Sequence, residues 1–300
     1  MPAPANPRRL ELPLPGGRPD ATVRLHPLLA GEVLMPPAFT ARPSGLLKTV
    51  RGLGFTTPRS KWYWAPIPCF LVEHPEGPFL IDTGLHPSCA EGLRENMGRV
   101  GALAYKVRMA PEQAIVQQVS ARGIDPAAVE LVVMTHLHWD HSSGISQWPG
   151  ATFVVSAVEW RSANAHGIAR GYYHDHFNPA FDWRTIDYAD GQITSYESFA
   201  RSVDLFGDGS VRLVFTPGHS EGHQSVVLRL SGGREAVLIA DAAYNRRTLE
   251  ESLLPTLFTD EHQFRRSLKE IQLYLEPRAN AVVVPGHDPD VWAQLSEVYE

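Results

Sequence analysis

The sequence predicts an α/β layered fold. Three observations carry that prediction. Short apolar or β-branched runs recur between residues 66 and 284, a proline-started helical stretch and a second helical period lie among them, and four of the runs end on a histidine or aspartate. Strands mixed with helices and short turns give layered α/β architectures. Binding sites in such folds gather at the carboxyl ends of strands, where a rigid sheet meets loops that are free to vary.

Residues 1 to about 22 are rich in proline and glycine, so an irregular arm is predicted there. Residues 23–300 show no linker, repeat or low-complexity break and are expected to form a single domain. Pro66–Glu73 and Gly77–Asp82 read as two strands joined by a turn around His74–Gly77. Pro111–Arg122 fits a helix, with proline near its first turn and Gly123 past its last. Leu131–Thr135 runs into His136, and Val211–Thr216 runs into Pro217, Gly218 and His219. Ala236–Ala240 runs into Asp241, and Ala281–Val284 into Pro285, Gly286 and His287. Asp260 is placed to cap a helix whose apolar positions Phe264, Leu268, Ile271 and Leu275 fall at helical spacing.

Composition excludes several classes of function. The formal charge is −6, with no run of lysine and arginine interleaved with aromatics, so nucleic acid is not an expected partner. No stretch approaches the ~18 apolar residues of a membrane span, and no apolar signal core follows the start. Two cysteines, Cys69 and Cys89, make at most one bridge and suit a reducing compartment. A soluble cytoplasmic protein, monomer or homodimer, is expected.

The chemistry concentrates in Thr135–Gly144, where His136, His138, Asp140 and His141 occupy four of six consecutive positions. With His219, Asp241 and His287 they make five imidazoles and two carboxylates without a thiolate, a donor set suited to zinc or another borderline divalent ion. Seven ligands exceed one tetrahedral ion with an open position. They fit two ions sharing a carboxylate. In an extended segment His136 and His138 point the same way, while Asp140 and His141 lie around the following turn and can face a second ion.

His136-x-His138-x-Asp140-His141, followed by Thr216–His219, Asp241 and Gly286-His287, resembles the metallo-β-lactamase-fold hydrolases over about residues 66 to 290. Asp82-Thr83-Gly84 after a strand matches a further recurring element of that superfamily. The resemblance implies an αββα sandwich. It also implies that His136, His138 and His219 hold one metal, that Asp140, His141 and His287 hold the other, and that Asp241 bridges them. Two Zn²⁺ ions are expected, with Co, Fe or Mn as alternatives. Thr216–Ser225 and Ala240–Tyr244 look most like the N-acyl-homoserine lactone lactonases, with Tyr244 three residues after the bridging aspartate as the more telling mark. A long segment between His141 and His219 departs from the shortest members, so about 142–205 is expected to carry a lid or substrate loop.

For such an enzyme, two ions ~3.5–4 Å apart bring a bridging water to near-neutral pKa. The resulting hydroxide attacks the lactone carbonyl. Tyr244 is expected to support the developing oxyanion. Asp140, besides ligating, is expected to carry the proton to the leaving oxygen. His223 and Asp82 are expected behind the ligands, since outer partners orient metal histidines. Trp62–Trp64 and the aromatic stretch 172–183 could form an apolar groove for an acyl chain, or could be core. The implied role is quorum quenching by hydrolysis of a small lactone. A glyoxalase II-like thioesterase or another esterase on the same metal site is the alternative, and a non-catalytic metal-binding protein a third class. Asp241 stands where the family's zinc β-lactamases typically carry cysteine, which argues against an antibiotic hydrolase. Gly218–Gly222 also matches G-x-S-x-G, the serine nucleophile elbow, but an elbow opens into a helix and Gln224–Leu230 reads as a strand.

Overall fold

The computed structural model describes residues 7–177 and 180–300. Its strands are, in chain order, β1 (Arg8–Arg9), β2 (Arg24–Met35), β3 (Tyr63–His74), β4 (Gly77–Ile81), β5 (Val107–Arg108), β6 (Leu131–Val133) and β7 (Thr152–Ser156). They continue with β8 (Asp182–Ile186), β9 (Thr194–Tyr196), β10 (Phe199–Asp204), β11 (Val211–Phe215), β12 (Gln224–Arg229), β13 (Glu235–Ala240) and β14 (Val282–Pro285). The helices are α1 (Pro37–Thr40), α2 (Lys48–Gly52), α3 (Arg94–Ala104), α4 (Ile115–Ala121), α5 (Trp139–Ser142), α6 (Ala157–Ala165), α7 (Arg246–Glu250), α8 (Glu261–Leu275) and α9 (Pro289–Trp292).

One sheet has the order β1-β8-β7-β6-β4-β3-β2-β5 and the other β14-β13-β12-β11-β10-β9. Successive side chains on a strand point to opposite faces, and here both faces are covered, so the strands read as continuous apolar runs. The alternation still sorts the cores. Val72, Val133 and Val154 of the first sheet meet Val226, Leu228 and Leu238 of the second in the central layer. Their neighbours Leu71, Val132 and Val155 face the helix layer that contains Ile115, Val119 and Trp160. On the far side Val214, Val227 and Val237 meet Phe264, Leu268, Ile271 and Tyr274 of α8. The result is helix, sheet, sheet, helix: the αββα sandwich of the metallo-β-lactamase fold. Burying each large side chain of α8 contributes about 1.5–3 kcal/mol. The Asp260 carboxylate accepts from Gln263 N at 2.8 Å and starts that helix as expected.

The structure refines three expectations. The helix predicted over Pro111–Arg122 opens as a 3₁₀ turn at Pro111–Gln113 before α4 begins. Residues 1–6 of the expected N-terminal arm lie outside the described residues, and residues 7–22 are short of regular structure but tied to both sheets. The arm's β1 pairs in parallel with β8, Leu10 is buried, and Leu14 N donates to Leu205 O at 2.7 Å. It therefore straps both sheets together. The described residues of about 142–205, expected to carry a lid or substrate loop, supply β7 and β8 to the first sheet, α6 to its cover, and β9 and β10 to the second. Within the aromatic stretch, Tyr172, Tyr173 and Phe177 are buried core, and residues 178–179 lie outside the described residues. Among the described residues no helix is long and apolar enough to cross a membrane.

Candidate metal centre

The seven residues expected from sequence converge. They leave β6, the turn between β11 and β12, β13 and β14 at one end of the sandwich, with α5 delivering Asp140 and His141. His219 Nε2 lies 3.2 Å from His136 Nε2, 2.9 Å from His138 Nδ1 and 3.2 Å from Asp241 Oδ2. On the other side of the same carboxylate, Asp241 Oδ1 lies 3.5 Å from His141 Nε2 and 3.4 Å from His287 Nε2. His287 Nε2 is also 3.4 Å from Asp140 Oδ2. Two donor groups thus share one carboxylate, an oxygen for each.

Hydrogen bonding fixes which nitrogens face inward. His287 Nδ1 donates to the Pro66 carbonyl at 2.8 Å, so a neutral ring presents a lone pair at Nε2. His141 Nδ1 lies 2.7 Å from Asp82 Oδ2, which orients that ring in the same sense. His141 Nε2, His287 Nε2 and Asp241 Oδ1 are buried with no hydrogen-bond partner. Lone pairs and carboxylate oxygens packed together without donors are costly unless a cation lies among them. His136 with His138 and His219, His136 with His141 and Asp241, and Asp140 with His141 and His287 each bring their donor atoms within 4.8 Å of one another. The residues present fit two divalent ions.

The electrostatics point the same way. Burial pushes His136 and His219 well below the ordinary imidazole range and His138 down to about 4. Burial opposes charge on His141 and His287 as well, but the carboxylates of Asp82 and Asp140 beside the one, and of Asp241 beside the other, outweigh it and raise both. Burial likewise disfavours the Asp241 carboxylate, yet the imidazoles of His287 and His219 hold it well below its usual range. Positive charge is therefore wanted on both sides of Asp241.

The backbone is bent to achieve this. Ala240 adopts a left-handed φ of 43° just before Asp241, a conformation that costs about 1–3 kcal/mol and recurs at functional sites. A Cβ on Gly286 would come 2.2 Å from Asp241 Oδ1, so only glycine fits beside the shared carboxylate. Asp82, expected behind the ligands, accepts from Thr135 N and Thr135 Oγ1, both at 2.7 Å, as well as meeting His141. Thr135 Oγ1 in turn lies 3.1 Å from His136 Nδ1. One carboxylate thus braces a histidine of each donor group.

His223 lies behind the ligands but packs against them instead of hydrogen-bonding to them. Its Nδ1 meets Thr216 Oγ1 at 2.9 Å, and its ring packs 5.2 Å from that of His136 without hydrogen-bonding to any of the seven. It fills space behind the cluster. Tyr244 stacks on His287 with centroids 5.4 Å apart, and its hydroxyl lies 3.4 Å from His219 Nδ1. Burial, with Asp241 and Asp140 nearby, pushes its phenol well above the ordinary range, so it remains a protonated donor.

Other sequence signals resolve differently. His174 and His176 are spent on backbone carbonyls, His174 on Ala163 O and His166 O, His176 on Asn96 O. Trp62 lies under Arg59 and Trp64 under Arg108. Tyr63, between them, lines a cavity of about 580 Å³ beside Asn245 and Asp288, the residues that follow Tyr244 and His287. Ser220 of the elbow-like motif donates to Glu159 Oε2 at 2.6 Å and is followed by strand β12, so it is no nucleophile. Sequence reasoning missed Thr135 and Glu159. It also missed Phe39, whose ring meets Tyr244 edge-on at 5.7 Å.

A family model described as the Metallo-beta-lactamase superfamily matches residues 62–287. A curated relative, N-acyl homoserine lactonase AttM of Rhizobium radiobacter, is 35% identical over 241 residues, covering 79% of this chain and 88% of the relative. N-acyl homoserine lactonase AiiA of Bacillus thuringiensis subsp. kurstaki is 26% identical over 225 residues, covering 74% and 81%. Among solved structures, an N-acyl homoserine lactone hydrolase with the product N-hexanoyl-L-homoserine at its catalytic metal center superposes with a TM-score of 0.72. That pair is 24% identical, covering 92% of this chain and 97% of the other.

Proposed function

This chain belongs to the metallo-beta-lactamase superfamily, and we propose that it is an N-acyl-homoserine lactonase holding two ions, zinc by its donor set. The observation that carries the reading is the shared carboxylate. Asp241 Oδ2 faces His136 and His219, with His138 beside His219, and Asp241 Oδ1 faces His141 and His287. The 35% identical relative that carries the lactonase name supports the substrate class.

When bound, two divalent ions supply Lewis acidity and bring water close to ionisation at neutral pH. The residues of this chain do the rest. His136, His138, His219 and Asp241 would hold one ion, and Asp140, His141, His287 and Asp241 the other. The protonated Tyr244 hydroxyl donates toward the lactone carbonyl oxygen as charge gathers on it. Water forms the new C–O bond, the ring C–O bond breaks, and the ring oxygen departs as the hydroxyl of an N-acyl-homoserine. Asp140, whose carboxyl burial pushes up, carries the proton from water to that oxygen. Opening the ring removes the signal, so the biological outcome is quorum quenching. The free, buried Cys69 and Cys89 support a reducing, cytoplasmic setting.

The test is hydrolysis of short- and long-chain N-acyl-homoserine lactones beside an unrelated lactone and a glutathione thioester, with metal content determined on the same preparation. Turnover of the acyl-homoserine lactones by protein carrying about two ions per chain is expected. Preference for the thioester would overturn the substrate assignment while leaving the metal centre standing.

A further inference from the structure

Glu159 sits in the first turn of α6 with no exposed surface. Its place in the sequence, Ser156-Ala-Val-Glu159, has a local explanation: the S-x-x-E pattern of a helix capping box. The structure uses the carboxylate otherwise. Oε1 accepts from Leu137 N at 3.0 Å and from the Tyr172 hydroxyl at 3.1 Å. Oε2 accepts from Ser220 Oγ at 2.6 Å and from Gly222 N at 3.1 Å. Four donors satisfy a buried carboxylate that has no cation at hand, and all four come from segments carrying or touching one donor group. Leu137 lies between His136 and His138. Ser220 follows His219, and Gly222 closes the same turn. The Tyr172 ring packs on His138 with centroids 4.9 Å apart. The approach is also close: a Cβ on Gly222 would come 2.1 Å from the Glu159 backbone nitrogen.

We propose that Glu159 is the positioning residue for the ion held by His136, His138 and His219, tying the loops that carry these three histidines to one buried point. Asp82 meets His141 directly and reaches His136 only through the Thr135 hydroxyl. Glu159 reaches the His136–His138–His219 side alone. This inference rests on the two-ion reading.

The experiment titrates Zn²⁺ into apo protein against a chromophoric chelator, with thermal melts alongside. Wild type is expected to show two tight steps. Glu159→Gln keeps the shape but turns an amide N–H₂ toward donors, and it should weaken one step about 10–100-fold while leaving the other in place. Asp82→Asn should weaken the His141 side, so the double variant should lose both tight steps. If the double variant keeps one tight step, or if Glu159→Gln weakens both steps equally or neither, the assignment is overturned. Tyr172→Phe and Ser220→Ala each remove a single hydrogen bond and should weaken the same step by less. They carry the test if Glu159→Gln does not fold, and unchanged steps in both would then overturn the assignment. A wild type that takes up fewer than two ions would instead sink the two-ion reading.

Discussion

Two buried clusters of histidine and aspartate sit at opposite ends of this sandwich. At one end are the seven residues around Asp241. At the other, His74 at the end of β3 meets Ser210 Oγ at 3.0 Å through Nε2, and Ser210 donates to Asp208 Oδ1 at 2.5 Å. His74 Nδ1 accepts from Glu76 N, and Asp208 Oδ2 accepts from Arg18 N. Both clusters are sequestered from water and both pair imidazole with carboxylate. Only the first leaves His141 Nε2, His287 Nε2 and Asp241 Oδ1 without partners. A satisfied cluster is a strut, and an unsatisfied one that converges on a point is a cradle for a cation. Residue type alone does not separate them; the direction of the lone pairs does.

The comparison breaks most sharply at Asp241. Asp241→Ala removes the one side chain that serves both donor groups, so metal analysis should find neither ion tightly held. Activity should fall by roughly a thousandfold or more, equivalent to about 4 kcal/mol of transition-state stabilisation. Retention of two ions and of turnover would mean that the carboxylate is not shared.

Tyr244→Phe tests what lies above the metals. The phenol touches His219 only weakly, at 3.4 Å, and donates to nothing else shown. Its removal should leave both ions bound and lower kcat by about 10²-fold, the effect of losing one oxyanion donor. Loss of metal from this variant would make the residue structural.

A substitution in the strut should do the reverse. Asp208→Ala takes the acceptor from the buried Ser210 hydroxyl, a cost of about 1–3 kcal/mol for a buried group. The melting temperature should drop, and the two-step metal titration and the kcat of the folded protein should not move.

These contrasts also show what could be read in the sequence. Strand ends were legible because β6, β11, β13 and β14 are short apolar runs buried on both faces, and each stops at a polar residue that cannot stay in the layer. That placed His136, His219, Asp241 and His287, and the H-x-H-x-D-H spacing supplied His138, Asp140 and His141. β2 was not legible: Pro27 and Gly31 interrupt it, and both read as breakers. In the structure Gly31 takes a φ of 118° where the pairing with β3 shifts register between Leu29 and Glu32, so the strand is long but bulged. Tyr172–Phe177 read either as a groove for an acyl chain or as core, because aromatic side chains suit both. The structure buries the rings and gives the Tyr172 hydroxyl to Glu159. Glu159 itself was hidden by a local motif that explains an acid at its position without any distant partner.

The smallest expected effect lies in acid. Burial lowers the His74 pKa from the usual 6.5, and the nearby Asp208 and Glu76 carboxylates do not offset it, with Arg18 adding to the lowering. The hydrogen bonds also suit a neutral ring: Nδ1 accepts the Glu76 amide, and a proton there would have to break that bond. Because the folded state resists the proton, the unfolded chain binds it first. The stability that neutral His74 provides is therefore complete above about pH 6.5 and is lost as the pH falls from there through the lowered folded-state value. His74→Gln can still donate to Ser210 but cannot take a proton. In the metal-replete protein, urea melts from pH 7.5 to 5 should show wild type losing stability more steeply than the variant over the lower part of that range. Parallel curves would mean that His74 is not the titrating member of the strut, and its contrast with the cation cradle would then rest on geometry alone.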